Sequence, residues 1–408
     1  MALIEWRFRI PKRYPSHPKS AAAESTQGGP GDRIPMRHLV SAITSRLEAK
    51  PKSPAFWEEY PGVGAPNLIQ NHPNTPYSIA NDHDWIFVMP LPRPPQPDTP
   101  PPDAFEIHRA EVAPNLELAY IREGIGGYPL LLVHGYPETK RIWWRNIQPL
   151  VDAGYEVIVP DLRGYGDSDL SEKDEYDLVL YSRDLHTLAH DVLGHERIGL
   201  IGGDVGGMVI VDLANRFTDF VDRMIFFNTT APLVPDRADW YAENGLSMNP
   251  LEHGPTGDYR IRQGRDPEEL LADLDTKARR HRYVRDFYEH RLLASQYSFE
   301  EDDYAFMAEP FEDARRLAAS WAVYQLEWDR PMGEMPMVIQ QTETPTLILY
   351  GPDDQVVPKD FPKKCEIAFP NRVGPLIVPE CGHFLQWERA DVLNEVARFY
   401  FADLKPGC

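Results

Sequence analysis

Ile198-Gly199-Leu200-Ile201-Gly202-Gly203-Asp204-Val205-Gly206-Gly207 is the stretch that decides the fold. A short apolar run ends in small-x-acid-x-small-small. That pattern predicts a strand turning sharply into a helix, with side chains small enough for the two to pass closely. The apex residue would project above the sheet edge, over the amides of the new helix. Serine is the usual occupant of such a turn; here it is Asp204. A carboxylate at that apex could act as a nucleophile toward carbon, forming an ester that water must then cleave. The competing reading is a plain turn, since Asp and Gly both tolerate unusual backbone angles.

Outward from this motif, short apolar runs alternate with helical patterns. The runs are Leu130–Val133, Val157–Val159, Ile198–Ile201, Met224–Phe227, Thr346–Tyr350 and Leu376–Val378. Such runs fit strands buried on both faces of a largely parallel sheet. Ahead of them, Phe105–Val112 and Leu116–Arg122 flank Ala113-Pro114-Asn115 and read as a hairpin. From Thr230 to about Pro345 the alternation stops, and the chain becomes charged, aromatic and helical in pattern. An insertion of this kind would lie over the strand ends as a cap. The expected organisation is an α/β core from 103–229 and 346–408, a helical cap from 230–345 and an N-terminal extension from 1–102. In this core the sheet is mostly parallel and doubly wound.

The extension is rich in proline, holding nearly half of the 40 in the chain, and Pro90 to Pro102 reads as a polyproline-like linker. Met36–Leu47 carries the spacing of a short amphipathic helix, and Ser16–Gly31 reads as loop. Trp57, Tyr60 and Trp85–Val88 need burial, so the extension is expected to drape over the main body or a neighbouring subunit. At 408 residues with a net charge of −21, the chain can bury a large core and is a poor partner for nucleic acid or anionic membrane. No apolar stretch has the length of a membrane span, and no signal peptide is read at the N-terminus. Three cysteines, Cys365, Cys381 and Cys408, suit a reducing cytoplasm better than a disulfide scaffold. Cys381 and His383 lack a second cluster of ligand spacing, so no metal and no cofactor is expected.

Three chemistry-bearing groups follow three strands in order. Asp204 is the nucleophile candidate. Gly351-Pro352-Asp353-Asp354-Gln355-Val356-Val357-Pro358 follows the strand ending at Tyr350, and Cys381-Gly382-His383-Phe384 follows the last strand. His383 would take a proton from water while an acid holds its ring. Asp354 fits the G-x-x-D-x-x-x-P spacing and is preferred over Asp353, which is not excluded. His134-Gly135-Tyr136-Pro137 would lie beside the nucleophile turn. There the amides of Tyr136 and Val205 are the natural pair for an oxyanion hole. His134 is expected to be positional. A carboxylate nucleophile points away from esterases and lipases, toward epoxide opening or halide displacement.

From about 103 to 405 the chain resembles the epoxide hydrolases of the α/β-hydrolase superfamily. The matching segments are HGYPETKRIWW, DLRGYGDSD, GGDVGG, YGPDDQVVP and CGHFLQWE. The resemblance implies the α/β-hydrolase fold, an Asp nucleophile, a His–acid pair and two cap tyrosines that hold or protonate the epoxide oxygen. Tyr259 and Tyr324 stand in segments similar to the family pattern. A phenol suits the task because the leaving alkoxide is far more basic. Trp143 and Trp321 are expected to line the pocket, with core packing the equal alternative. Gly203 departs from the pattern, which usually has histidine before the nucleophile. The implied reaction is hydrolysis of a small-molecule epoxide to a vicinal diol, with water as co-substrate.

Two competing readings remain. A haloalkane-type dehalogenase would share Asp204, His383 and Asp354, but Val205 offers no side-chain donor for halide. A ligand-binding protein on a retired hydrolase fold would need none of the chemistry. A homodimer is compatible with the sequence, which fixes neither the natural substrate nor its stereochemistry.

Overall fold

The computed structural model describes residues 96–249, 252, 254, 258–292, 298–325 and 337–407. The helix expected over Met36–Leu47, the loop at Ser16–Gly31 and the aromatic cluster from Trp57 to Val88 lie outside the described residues. Eight strands form one sheet in the order β1-β2-β4-β3-β5-β6-β7-β8. β1 (His108–Ala113) and β2 (Leu116–Glu123) make the antiparallel hairpin, turning through Asn115 at φ 58°. β2 pairs antiparallel with β4 (Tyr155–Pro160). From there the sheet is parallel: β4 with β3 (Tyr128–Val133), β3 with β5 (Ile198–Gly203), then β6 (Val221–Phe227), β7 (Thr346–Tyr350) and β8 (Arg372–Ile377).

The apolar runs are buried as their composition requires. Every residue of β4, β5 and β7 is buried, because parallel strands carry helices on both faces. Between β6 and β7 the described residues hold helices and no strand. Among these helices are Tyr259–Arg265, Lys277–Asp286, Ala314–Ser320 and Ala322–Gln325.

β8 begins earlier than its apolar run suggests. The sequence shows only Leu376–Val378, whereas the strand starts at Arg372 and ends at Ile377. Gly374 (φ 89°) and Pro375 break the alternation, and the pairing register with β7 shifts between Leu347 and Leu349. A bulge of this kind hides a strand from a periodicity argument.

The last residues of the proline-rich segment rest on the core. Trp144 Nε1 donates to the Pro101 carbonyl at 3.2 Å, and Arg145 Nε donates to Thr99 Oγ1 at 2.8 Å. Gln96 Nε2 donates to Asp391 Oδ1 at 2.8 Å. Arg145 also stacks over the Trp387 ring at 4.0 Å and donates to the Ser298 carbonyl at 3.1 Å, joining this segment to the core and to the region between β6 and β7.

Candidate active site

β5 ends at Gly203 and the helix Asp204–Arg216 begins at the next residue. Asp204 has φ 46°, in the left-handed region that a non-glycine residue enters only when its surroundings hold it there. The holding contacts are visible. The Asp204 N–H donates to the Asn228 carbonyl at 3.1 Å, and Thr229 Oγ1 donates to the Asp204 carbonyl at 2.6 Å. The helix passes so close to β3 that a Cβ on Gly206 would lie 2.3 Å from the Val133 carbonyl oxygen. Gly203 has a different reason to be small: a Cβ there would stand 2.3 Å from the Phe227 ring. The volume a larger side chain would need is taken by Phe227.

The Asp204 carboxylate is placed from both sides. Its Oδ1 accepts from the Tyr136 N–H at 2.7 Å. A Cβ on Gly135 would lie 2.5 Å from the same oxygen, so the loop after β3 can approach only as glycine. Oδ2 lies 3.3 Å from His383 Nε2. That separation lacks hydrogen-bond geometry, and Nε2 has no hydrogen-bond partner. Val205 occupies the first turn of the helix, where a backbone N–H has no intrahelical acceptor.

His383 is oriented from its other nitrogen. Nδ1 lies 2.8 Å from Asp354 Oδ2, and both side chains are 0% exposed, whereas that of Asp204 is 14% exposed. The second oxygen of Asp354 accepts from the amides of Val356 at 2.8 Å and Val357 at 3.1 Å. Of the two adjacent carboxylates, Asp354 meets the imidazole and Asp353 is exposed. Burial alone would lower the His383 pKa. The charges of Asp354 and then Asp204 outweigh it and hold the imidazole well above its ordinary value.

His134 has both nitrogens occupied. Nδ1 donates to the Gly135 carbonyl at 2.9 Å, and Nε2 accepts from the Leu162 N–H at 3.0 Å. Its burial lowers its pKa, and the neutral ring serves as a spacer between two loops.

Tyr136 contributes more than an amide. Its hydroxyl receives hydrogen bonds from Gln263 Nε2 at 2.6 Å and Trp321 Nε1 at 3.1 Å. Its ring meets Tyr259 at 6.0 Å and Tyr324 at 5.4 Å. Tyr259 and Tyr324 cross edge to face at 5.8 Å. Both hydroxyls are buried and neither makes a hydrogen bond of good geometry, although the Tyr324 hydroxyl lies near enough to Tyr259 to oppose the rise in that phenol's pKa. Burial raises both phenol pKa values, and the negative charge of Asp204 adds to the rise in each, so both stay protonated. Trp143 is fully buried, edge-on to Phe227 at 6.2 Å, with Nε1 unpartnered. Trp321 is equally buried, but its N–H is committed to Tyr136.

Three residues that organise this site escape sequence reasoning. Asn228, at the end of β6, donates through Nδ2 to the Gly382 carbonyl at 2.6 Å and the His383 carbonyl at 3.2 Å, and its Oδ1 accepts from the Gly351 N–H at 2.9 Å. The Asn228 side chain thus joins the loops of Asp354 and His383, while its backbone carbonyl accepts from the Asp204 N–H. Glu388 accepts from the amides on either side of His383, Gly382 at 2.9 Å and Phe384 at 2.8 Å. Glu138 accepts from the Gly135 N–H at 2.6 Å and from Gln386 Nε2 at 2.7 Å. Burial, then the charge of Asp204, pushes the Glu138 carboxyl up to about 8. The one available signal is position: Asn228 directly follows a strand flanked by the two that precede the nucleophile and acid loops.

Comparison with known proteins identifies the family of the fold. The chain is 26% identical over 312 residues to a soluble epoxide hydrolase from Corynebacterium sp. (strain C12), covering 73% of this chain and 98% of that protein. It is 24% identical over 286 residues to a 2-hydroxy-6-oxo-6-phenylhexa-2,4-dienoate hydrolase from Comamonas testosteroni, covering 69% and 90%. Among solved structures it resembles the epoxide hydrolase CorEH without ligand, with a TM-score of 0.59 at 23% identity over 74% of this chain and 99% of that one. A family profile described as the alpha/beta hydrolase fold matches residues 128–390. The chain belongs to the alpha/beta hydrolase fold family.

Proposed function

We propose that this hydrolase opens an epoxide to a vicinal diol through an ester on Asp204. The observation that carries the reading is a pinned carboxylate whose charge reaches two buried phenols with uncommitted hydroxyls. Uncommitted buried donors cost stability, and a site that retains two of them is suited to receiving an oxygen. The Tyr136 amide holds Oδ1, which leaves Oδ2 to attack the ring carbon. As the C–O bond breaks, Tyr259 and Tyr324 donate to the departing oxygen. Water then adds to the ester carbonyl, whose developing charge falls on the oxygen held by Tyr136 N–H and beside Val205 N–H. His383 takes the proton from that water, with Asp354 steadying the imidazolium. The Cγ–Oδ2 bond of the adduct breaks, and the imidazolium returns its proton to the departing oxygen. The new carboxyl gives up the other water proton to restore the phenol that protonated the first oxygen, and the diol leaves with Asp204 retaining an oxygen from water.

The electrostatics fit this sequence of steps. Asp204 contributes to the raised basicity of His383. Esterification removes that charge, so the imidazole becomes easier to deprotonate when a neutral base is needed.

One observation favours halide displacement as the second reading: the buried, unpartnered Nε1 of Trp143 could face an anion. Val205 gives no second donor beside the nucleophile. His383→Gln separates the two. Incubated with aryl, terminal and internal epoxides, this variant should gain the mass of an epoxide on the peptide containing Asp204. Adducts from haloalkanes and none from any epoxide would transfer the assignment to the dehalogenase reading.

A further inference from the structure

Away from this site, the described residues contain one other group of side chains with metal-ligating geometry. His186 ends the helix Leu178–His186, and His190 and Asp191 lie in the helical turn Thr187–Val192 that continues it. One ligand atom from each of the three lies within 4.8 Å of the other two. We propose that His186, His190 and Asp191 form a surface site for a divalent transition metal of the zinc, nickel or copper class.

The two histidines are arranged by aromatic packing. The His186 ring lies flat on Phe217, with centroids 3.7 Å apart and planes 15° apart, and Phe220 meets its edge at 4.8 Å. His190 stacks on the other face of the pair at 4.9 Å and 16°, with its own edge contact to Phe220 at 5.8 Å. The imidazoles stand one helical turn apart, and the exposed His190 ring must turn out of this stack for the in-plane lone pairs of both rings to meet one ion. The backbone between them is wound wide. Leu193 N–H reaches back five residues to the Leu188 carbonyl at 3.0 Å, and His195 N–H reaches Ala189 at 3.0 Å. Wide turns of this kind inside helices often mark functional positions. Here the turn sets the relation of His190 to His186, and it places Asp191 beside the pair.

The chemistry of the set selects the class of ion. Two imidazoles and one carboxylate suit zinc, nickel or copper; calcium and magnesium prefer all-oxygen shells. Metal–nitrogen bonds of about 2.0–2.1 Å require the three groups to close on the ion by side-chain rotation. Both His190 and Asp191 are exposed and free to make that adjustment. Asp191 Oδ1 lies 2.7 Å from His190 Nδ1, an exposed contact that a bound ion would replace. The site sits at the C-terminal end of a helical stretch, where the backbone dipole favours a cation. A net charge of −21 further raises the local concentration of cations.

The helix that carries His186 packs beside the helix that begins at Asp204, joined by Ser182 Oγ donating to Asp212 Oδ2 at 2.5 Å. The metal groups lie outside the proposed catalytic machinery, so the role is one of binding. The test is equilibrium dialysis of the untagged full-length chain against Ni²⁺ and Zn²⁺ near neutral pH. His190→Gln removes an exposed ligand with little risk to folding. His186→Phe preserves the stack on Phe217. The wild-type chain should bind one equivalent, and both variants should lose it while retaining wild-type circular dichroism. Absence of a bound equivalent in the wild type, or its retention in either folded variant, would overturn the site.

Discussion

The two walls of the site are built in opposite ways. On the sheet side every group proposed to act is held. Asp204 is fixed by Tyr136 N–H, His383 by Asp354, and Asp354 by two backbone amides. On the side formed by the helices between β6 and β7, Tyr259 and Tyr324 are buried with their hydroxyls unsatisfied. The difference suggests a division of labour. The sheet side carries charges that must be aimed before substrate arrives. On the proposed mechanism, the helical side supplies donors that gain their partner only when the substrate oxygen is present. Stability and activity should therefore respond in the same direction to changes on one wall and in opposite directions on the other.

The largest effect should come from Asp204→Ala, which removes the proposed nucleophile. Turnover should fall by about ten-thousand-fold or more, since removing one member of such a unit disables the whole of it. Steady-state diol formation measures this, and residual turnover within about tenfold of the parent would rule out the ester route. Next, Tyr259→Phe and Tyr324→Phe should each slow ring opening by about a hundredfold. Because each change removes a buried hydroxyl that makes no hydrogen bond of good geometry, thermal melting should show stability unchanged or increased. A variant that loses stability and keeps its rate would erase the contrast between the walls.

Asn228→Ala should move both quantities downward. Its side chain makes three bonds that hold two loops, and losing them should cost about 1–3 kcal/mol together with a slower hydrolytic step. Denaturant melts and pre-steady-state rates read the two effects separately. The smallest predicted effect is a change in pH dependence. The folded-state pKa of Glu138 is raised from 4.5 to about 8, so between those values the folded chain binds more protons than the unfolded chain. That group therefore lowers stability as pH rises from 4.5 to about 8, and Glu138→Gln should flatten the melting temperature across that window. His383, also raised, contributes in the same direction. Its stabilisation is complete below its ordinary pKa and is lost as pH rises through the raised value, so some slope should survive in the Glu138 variant.

The parts of this fold that were legible in the sequence are those set by local chemistry. Buried parallel strands must be apolar throughout, and that exposed β3, β5, β6 and β7 as runs. The sharp turn at Asp204 must be flanked by small residues, and the reason is now visible in the 2.3 Å approaches at Gly203 and Gly206. Asp354 was preferred over Asp353 from spacing, and its carboxylate lies on His383. What stayed hidden acts across long separations. Asn228 bonds to partners 123, 154 and 155 residues away, so no local pattern marks it. The hydroxyl of Tyr136 was invisible for the same reason: the residue was assigned through its amide, while its ring and hydroxyl meet the cap. Gly203 stands where the resembled pattern usually has histidine, a departure that bears on local packing. Phe227 supplies the cause by filling that space.

The central claim is that carbon becomes bonded to Asp204 before water enters. Single-turnover hydrolysis of an epoxide in ¹⁸O-labelled water, with enzyme in excess, tests it most directly. The first diol should carry unlabelled oxygen drawn from Asp204, and label should appear in that carboxylate afterwards. Solvent label in the first diol would mean that water attacks the epoxide itself.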